Sequence, residues 1–175
     1  MEAESVLDTI DSLVVSNSLN QLSEYVLDNL PLVDLPLKHG FVPGMYVREM
    51  FAAPNTLIVG QCHLTEDPYV LLKGSILVFI EGEGTVTLSG GHSGITKAGT
   101  QRAGYTLEAC HWINYHVLSP EEEEARKSGI CEEDLVNMIE LRIYEQLDPL
   151  EDRGGKTVFE VYKDKLKEAI PCLEQ

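Results

Sequence analysis

The 175-residue chain lacks any apolar run of the ~18–20 residues that a membrane span requires, so no membrane contact of that kind is expected. No basic stretch followed by an apolar one stands at the N-terminus, and no signal peptide is expected. Cysteine is sparse: Cys62, Cys110, Cys131 and Cys172 contain no Cys-x-x-Cys pair, which argues against a structural zinc knuckle. Without an export signal they read as free thiols, and the expected location is a reducing cytoplasm. A Walker loop, a dinucleotide-binding glycine fingerprint and a Gly-x-Ser-x-Gly elbow are all missing. Gly82, Gly84, Gly90, Gly91 and Gly94 are dense, but they lie between strand-like runs and read as turn punctuation. Bases are scarce, with 13 Lys and Arg against 29 Asp and Glu, a net charge of −16. Direct binding to a nucleic-acid backbone needs clustered bases and is excluded, as is a polybasic contact with lipid.

What the chain does have is core material: 43% of its residues are hydrophobic, which excludes full disorder. Its charge is uneven. Residues 1–34 carry −7, residues 35–118 carry −1, residues 119–152 carry −9 and residues 153–175 carry +1. A nearly neutral centre lies between acidic flanks, and the chain divides accordingly. Residues 1–34 form an acidic helical segment, 35–118 a barrel, and 119–175 a helical segment packed on the barrel or on a partner subunit.

The hydrophobic period supports that division. Val6, Ile10, Leu13 and Val14 recur at helical spacing over 3–15. Ser18 and Gln21 offer a capping box for a second helix, whose apolar face is Leu19, Leu22, Val26 and Leu27. From Tyr46 to Val117 the pattern shortens to strands over 46–51, 56–62, 69–72, 75–81, 84–89, 94–97, 101–106 and 111–117. Ile76, Val78 and Ile80 alternate with Leu77 and Phe79, so that strand is apolar on both faces and central. Glu81-Gly82-Glu83-Gly84 reads as a hairpin turn after it. Eight short strands at this spacing predict a small barrel or sandwich. Ser119-Pro120-Glu121-Glu122 then starts a helix, with a serine N-cap, proline at the first position and glutamate three residues after the cap. The four glutamates at 121–124 read as a solvated first turn. Gly129 ends that helix, and Leu135, Met138, Ile139, Ile143 and Leu147 mark another over 132–146. Val158, Val161, Leu166 and Ile170 mark a last one.

Chemistry points to histidine. His39 and His92 are read as loop residues beside glycine. His63 ends a strand-like run and precedes Thr65, Glu66 and Asp67; imidazole and carboxylate at that spacing suit a divalent cation. On the last strand Trp112, Asn114 and His116 share one face. Two histidines and a carboxylate on separate barrel strands would leave positions open for substrate.

Residues 41–117 resemble a cupin, specifically the short cupin-like proteins of tailed bacteriophages. The likeness is carried by Phe41-Val42-Pro43-Gly44-Met45-Tyr46-Val47-Arg48-Glu49-Met50-Phe51 and by Thr56-Leu57-Ile58-Val59-Gly60 with His63-x-Thr65-Glu66 after it. Lys73-Gly74 before an apolar strand, Gly94-Ile95-Thr96-Lys97-x-Gly99-Thr100-x-Arg102 with Ala103-Gly104-Tyr105, and Trp112-x-Asn114-x-His116 complete it. The resemblance implies a mainly β fold: a small cupin-type β-barrel (double-stranded β-helix) flanked by N-terminal and C-terminal α-helices. The general cupin metal pattern fits His63, Asp67 and Gly74, but Gln61 and Arg102 hold two usual ligand positions. Gln61 still offers a carbonyl oxygen; Arg102 cannot ligate a cation, because its guanidinium stays protonated.

Two site arrangements follow. One is a divalent ion (Fe, Mn, Ni or Zn) held by His63, Asp67 and His116, with Glu66 orienting a histidine or acting as base and Tyr105 donating a hydrogen bond. In the other no metal binds, and Arg102 anchors an anionic ligand in the barrel mouth. The expected function is that of a cupin-fold phage accessory protein with a metal-capable or anion-binding pocket for a small polar or anionic molecule. If it is an enzyme, it is a metal-dependent cupin whose reaction the fold does not specify. The alternative is a non-catalytic interaction protein whose acidic helices contact a basic host or phage protein. A homodimer is the expected assembly.

Overall fold

The computed structural model describes Leu19, Leu22, Val26 and residues 31–80 and 84–145. Nine strands and two helices occur among these residues: β1 (Leu37–Val42), β2 (Met45–Ala52), β3 (Leu57–Val59), β4 (Asp67–Lys73), β5 (Ser75–Ile80), β6 (Gly84–Ser89), β7 (His92–Thr96), β8 (Arg102–Thr106), β9 (Cys110–Val117), α1 (Pro120–Ser128) and α2 (Glu132–Ile143). The helices expected over 3–15 and after the Gly154-Gly155 pair lie outside the described residues. Of the helix expected after Ser18, only Leu19, Leu22 and Val26 are described, and all three are helical.

The strands form two antiparallel sheets, one ordered β1-β2-β9-β4-β7 and the other β3-β8-β5-β6. Leaving aside the extra edge strand β1, the remaining eight strands run 1-8-3-6 in one sheet and 2-7-4-5 in the other. That is the strand order of a jelly roll, the double-sheet architecture of the cupin-type double-stranded β-helix. β1 was missing from the expected strands, and it carries His39, which is therefore in a strand and not in a loop. His92 likewise opens β7.

Register decides which side chains enter the barrel. Cys110 and Trp112 of β9 join the core between the sheets, so Asn114 and His116 share their face. Across the sheet that face takes Tyr46, Arg48, Met50 and Ala52 from β2 and Asp67, Tyr69 and Leu71 from β4. In the second sheet Ile76 and Val78 point inward, which brings Gly104 and Arg102 inward through the β5–β8 register. The opposite face of β5 is also apolar. Phe79 lies under Leu19 and Leu22, with Ala103, Leu57, Leu77 and Tyr105 around it. This strand is covered on both faces, as its unbroken apolar run predicts.

Two glycines are steric requirements. Gly74 has φ +93°, and a Cβ there would collide with the Ala109 carbonyl and the Cys110 sulfur. Gly94 lets the Tyr69 ring lie flat on β7, because a Cβ there would be 2.7 Å from its hydroxyl.

The helices close one end of the barrel. Ser119 caps α1 in a reciprocal capping box with Glu122, and Gly129 ends it at φ 81°. Leu135, Val136, Ile139 and Ile143 of α2 bury against Tyr46, Leu118 and Tyr144. Glu122 overturns the reading of a solvated glutamate run, since it is buried and held by Arg142 through Nε at 2.7 Å and an Nη at 3.0 Å. Arg142 also donates to the Val117 carbonyl, which ties α1, α2 and the end of β9 together. No helix among the described residues is long and apolar enough to cross a membrane.

Candidate functional site at the helix-covered end of the barrel

The inward face of the first sheet changes character along its strands. At one end Ala52, Leu71 and Cys110 meet Ile76, Val78 and Leu88 across the barrel. At the other end the same strands bring in Asp67, His116, Tyr46 and Arg48.

Asp67 opens β4 and is buried between two imidazoles. His116 Nδ1 lies 2.7 Å from one carboxylate oxygen, His63 Nδ1 lies 3.1 Å from the other, and the Thr65 hydroxyl donates to both. Burial works against the Asp67 charge, but the bonds from His116 and His63, the His116 charge and Thr65 outweigh it and hold the carboxyl at about 2. An ionised carboxylate can only accept, so each imidazole donates from Nδ1, an assignment that follows from the bonding pattern. His116 Nε2 is then left buried without a partner.

Tyr144 follows α2 and covers this end. Its backbone pairs with His63, its ring meets both imidazoles edge-on, and its hydroxyl accepts from Arg48 at 2.8 Å. Glu140 forms an ion pair with Arg48 at 3.8 Å from Nε, too long for a hydrogen bond, and that Nε has no hydrogen-bond partner. Tyr46 is buried against His116 and bonded to His39, and burial raises its phenol well above the usual range.

Arg102 enters from the facing sheet. Its guanidinium carbon stands 5.0 Å from the Tyr69 ring centroid, and an Nη donates to Thr96 at 3.1 Å. Its Nε is buried without a partner, and among the described residues no carboxylate pairs with it. Arg48, Asn114 and Arg102 are each half-buried, whereas Leu71 and Val78 are sealed.

The structure therefore brings His63, Asp67 and His116 together, with Arg102 at the same end of the barrel. Gln61 is half-buried, Glu66 is exposed, and Tyr105 lies on the outer face of β8, where its hydroxyl donates to Asn55. Strand alternation separates Tyr105 from Arg102, three positions away. Sequence reasoning missed Arg48 and Tyr144. Arg48 was detectable, because it alternates with Tyr46 and Met50 and so places a charge on an apolar face. Tyr144 carried no such signal, since its role depends on how α2 crosses the barrel end.

The triad as arranged does not fit a cation. Both oxygens of Asp67 are taken by imidazole Nδ1 atoms, so no shared point is left toward which three lone pairs converge. Gln61 and Arg102 hold the other cupin ligand positions, and Arg102 adds a positive charge nearby. No group of three or more His, Cys, Asp or Glu side chains among the described residues is placed to hold an ion.

No protein-family model matches the chain, and no curated protein does. Among solved structures it is similar to the Cnp3 cupin domain of Schizosaccharomyces pombe, at 17% identity and TM-score 0.43 over 61% of this chain and 80% of that one. An RmlC-like cupin family protein with a double-stranded β-helix fold from Methanocaldococcus jannaschii aligns at 6% identity and TM-score 0.43, over 53% and 87% of the two chains. The DMSP lyase DddQ of Ruegeria pomeroyi aligns at 15% and 0.43, over 50% and 48%. These stand as likenesses only; the cupin-type reading of this fold rests on its strand order.

Proposed function

We propose that this chain is a cupin-fold binding protein that holds a small anionic molecule inside its barrel, with Arg102 as the anchor and without a resident metal ion. The observation that carries the reading is the Arg102 guanidinium: inward-facing, stacked on Tyr69, its Nε unpartnered and with no carboxylate beside it among the described residues. A buried N–H donor without an acceptor is costly, and an anion with a free acceptor oxygen offsets that cost directly. Asn114, in the row between Arg48 and Tyr69, is only half-buried, which is consistent with solvent reaching this part of the face. The phage proteins whose motifs the chain resembles give this reading its setting, as a small accessory protein.

The alternative, acidic helices docking on a basic protein, has less support. Glu122 is spent on Arg142, Glu123 on Arg126 and the Gly44 amide, and Glu121 accepts from Ser119. Only Glu124 of the four is left facing outward without such a partner among the described residues.

Thermal unfolding and calorimetric titration with acetate, succinate and inorganic phosphate test the proposal. At least one of these anions raises the unfolding temperature of the unaltered protein and binds saturably. Arg102→Gln weakens that binding by about tenfold or more, the scale of one charge-assisted contact. Equal affinity in the variant, or no stabilisation by any of the three anions, contradicts it.

A further inference from the structure

Three buried side-chain polar atoms among the described residues have no hydrogen-bond partner: Arg48 Nε, Arg102 Nε and His116 Nε2. All three belong to inward-facing side chains at the same end of the barrel. Unsatisfied buried groups are few in folded proteins, and chance does not favour three on one interior face. Two of them are guanidinium donors.

The register places the two arginines at one level. Arg48 pairs with Asn114, and Asn114 pairs with Tyr69, so these residues form a row across β2, β9 and β4. Adjacent strands lie ~4.8 Å apart, so the Arg48 and Tyr69 backbones are about 10 Å apart. Arg102 stands over Tyr69 from the opposite sheet. The interior thus offers two separated cationic forks with a half-buried Asn114 between them. The negative groups facing this level are Asp67, whose oxygens are already bonded to His63 and His116, and Glu140, which stays 3.8 Å from Arg48 Nε.

Resting on the anion-binding reading above, we infer that the ligand is a short dicarboxylate, one end on Arg102 and the other on Arg48, with Asn114 contacting the chain between them. A single compact anion on Arg102 would leave Arg48 with only the 3.8 Å ion pair to Glu140 and no hydrogen bond at its Nε. Two carboxylates on a short linker satisfy both, and each can meet its fork side-on.

Calorimetric titration of the full chain with acetate, malonate, succinate, glutarate and phosphate tests the clamp. One dicarboxylate is expected to bind at least about tenfold more tightly than acetate. Arg48→Gln should erase that advantage, so that the variant binds the dicarboxylate no more tightly than it binds acetate, and Arg102→Gln should weaken both about tenfold or more. Glu140→Gln should tighten the dicarboxylate several-fold by removing the competing carboxylate. Because Arg48 also bonds Tyr144, Arg48→Lys serves as a second variant that keeps the charge; it should restore part of the advantage if Arg48→Gln folds poorly. The clamp is overturned if Arg48→Gln and Arg48→Lys keep the full dicarboxylate preference, or if phosphate or acetate binds as tightly as every dicarboxylate. Those results leave the Arg102 anchor standing. Anion binding at undiminished affinity in Arg102→Gln overturns both readings.

Discussion

At one end of the barrel Ala52, Leu71, Ile76, Val78, Leu88 and Cys110 meet as an apolar core; at the other, β2, β4 and β9 turn the same inward face into a setting for Arg48, Asp67 and His116. Both ends share one register and one alternation. They differ in what their buried groups find. The apolar end needs only close packing, and the hydrophobic effect with dispersion stabilises it. The polar end is paired unevenly: Asp67 has three donors, Glu122 has its arginine nearby, and two guanidinium Nε groups have none. A fold selected for stability alone would fill this end as it fills the other. If the proposed anion site is right, stability and ligand recognition are divided along the barrel axis.

The largest effect should come from the apolar end. Leu71→Ala removes a fully buried side chain and should cost about 2–5 kcal/mol in denaturant unfolding, with anion affinity per folded molecule unchanged. Loss of binding by the folded variant would break the division.

A smaller cost is expected at Asp67. Asp67→Asn keeps one acceptor oxygen but turns the other into an N–H donor facing an imidazole N–H, and removes the charge; it should lower stability by about 2–3 kcal/mol. The effect depends on pH with a definite sign. The folded carboxyl lies at about 2 against an ordinary 3.8, so its contribution is full above the ordinary value. It is lost as pH falls from about 4 toward about 2, and the depression corresponds to roughly 2 kcal/mol. The stability difference between the unaltered protein and Asp67→Asn should narrow across that window in urea unfolding at stepped pH. A constant difference would show that Asp67 does not titrate there.

The smallest effect should be at Arg102. Arg102→Gln removes a half-buried charge that no carboxylate among the described residues balances and should change stability by less than about 1 kcal/mol in either direction. A loss as large as that from Leu71→Ala would make Arg102 a structural residue and dissolve the contrast.

Much of the fold was legible from local pattern. β5 announced itself by apolar residues on both faces, and Phe79 is buried beneath Leu19 and Leu22 on one side while Ile76 and Val78 fill the barrel on the other. The capping box at Ser119 was explicit in the sequence. β1 was not, because Leu37-Lys38-His39-Gly40 has no clean alternation and its pairing with β2 is a tertiary fact. The site divides the same way. His63 and Asp67 are close in sequence, and strand alternation put His116 on the inward face. The role of Asp67 as shared acceptor, and the isolation of Arg102 Nε, depend on rotamers and on α2 closing the barrel end. Glu122 shows the limit of composition most plainly: four consecutive glutamates look alike, and only the approach of Arg142 distinguishes the buried one.

The central claim is that Arg102 Nε waits for an anion. It is tested most directly by following the arginine Nε–Hε resonances in a ¹H–¹⁵N NMR titration with succinate, the Arg102 signal being assigned by its absence in Arg102→Gln. The account predicts a saturable downfield shift of the Arg102 Hε signal, with a smaller response from Arg126, whose Nε already donates to Glu123. An Arg102 signal that stays fixed while succinate binds would contradict it, as would the failure of succinate, acetate and phosphate alike to bind.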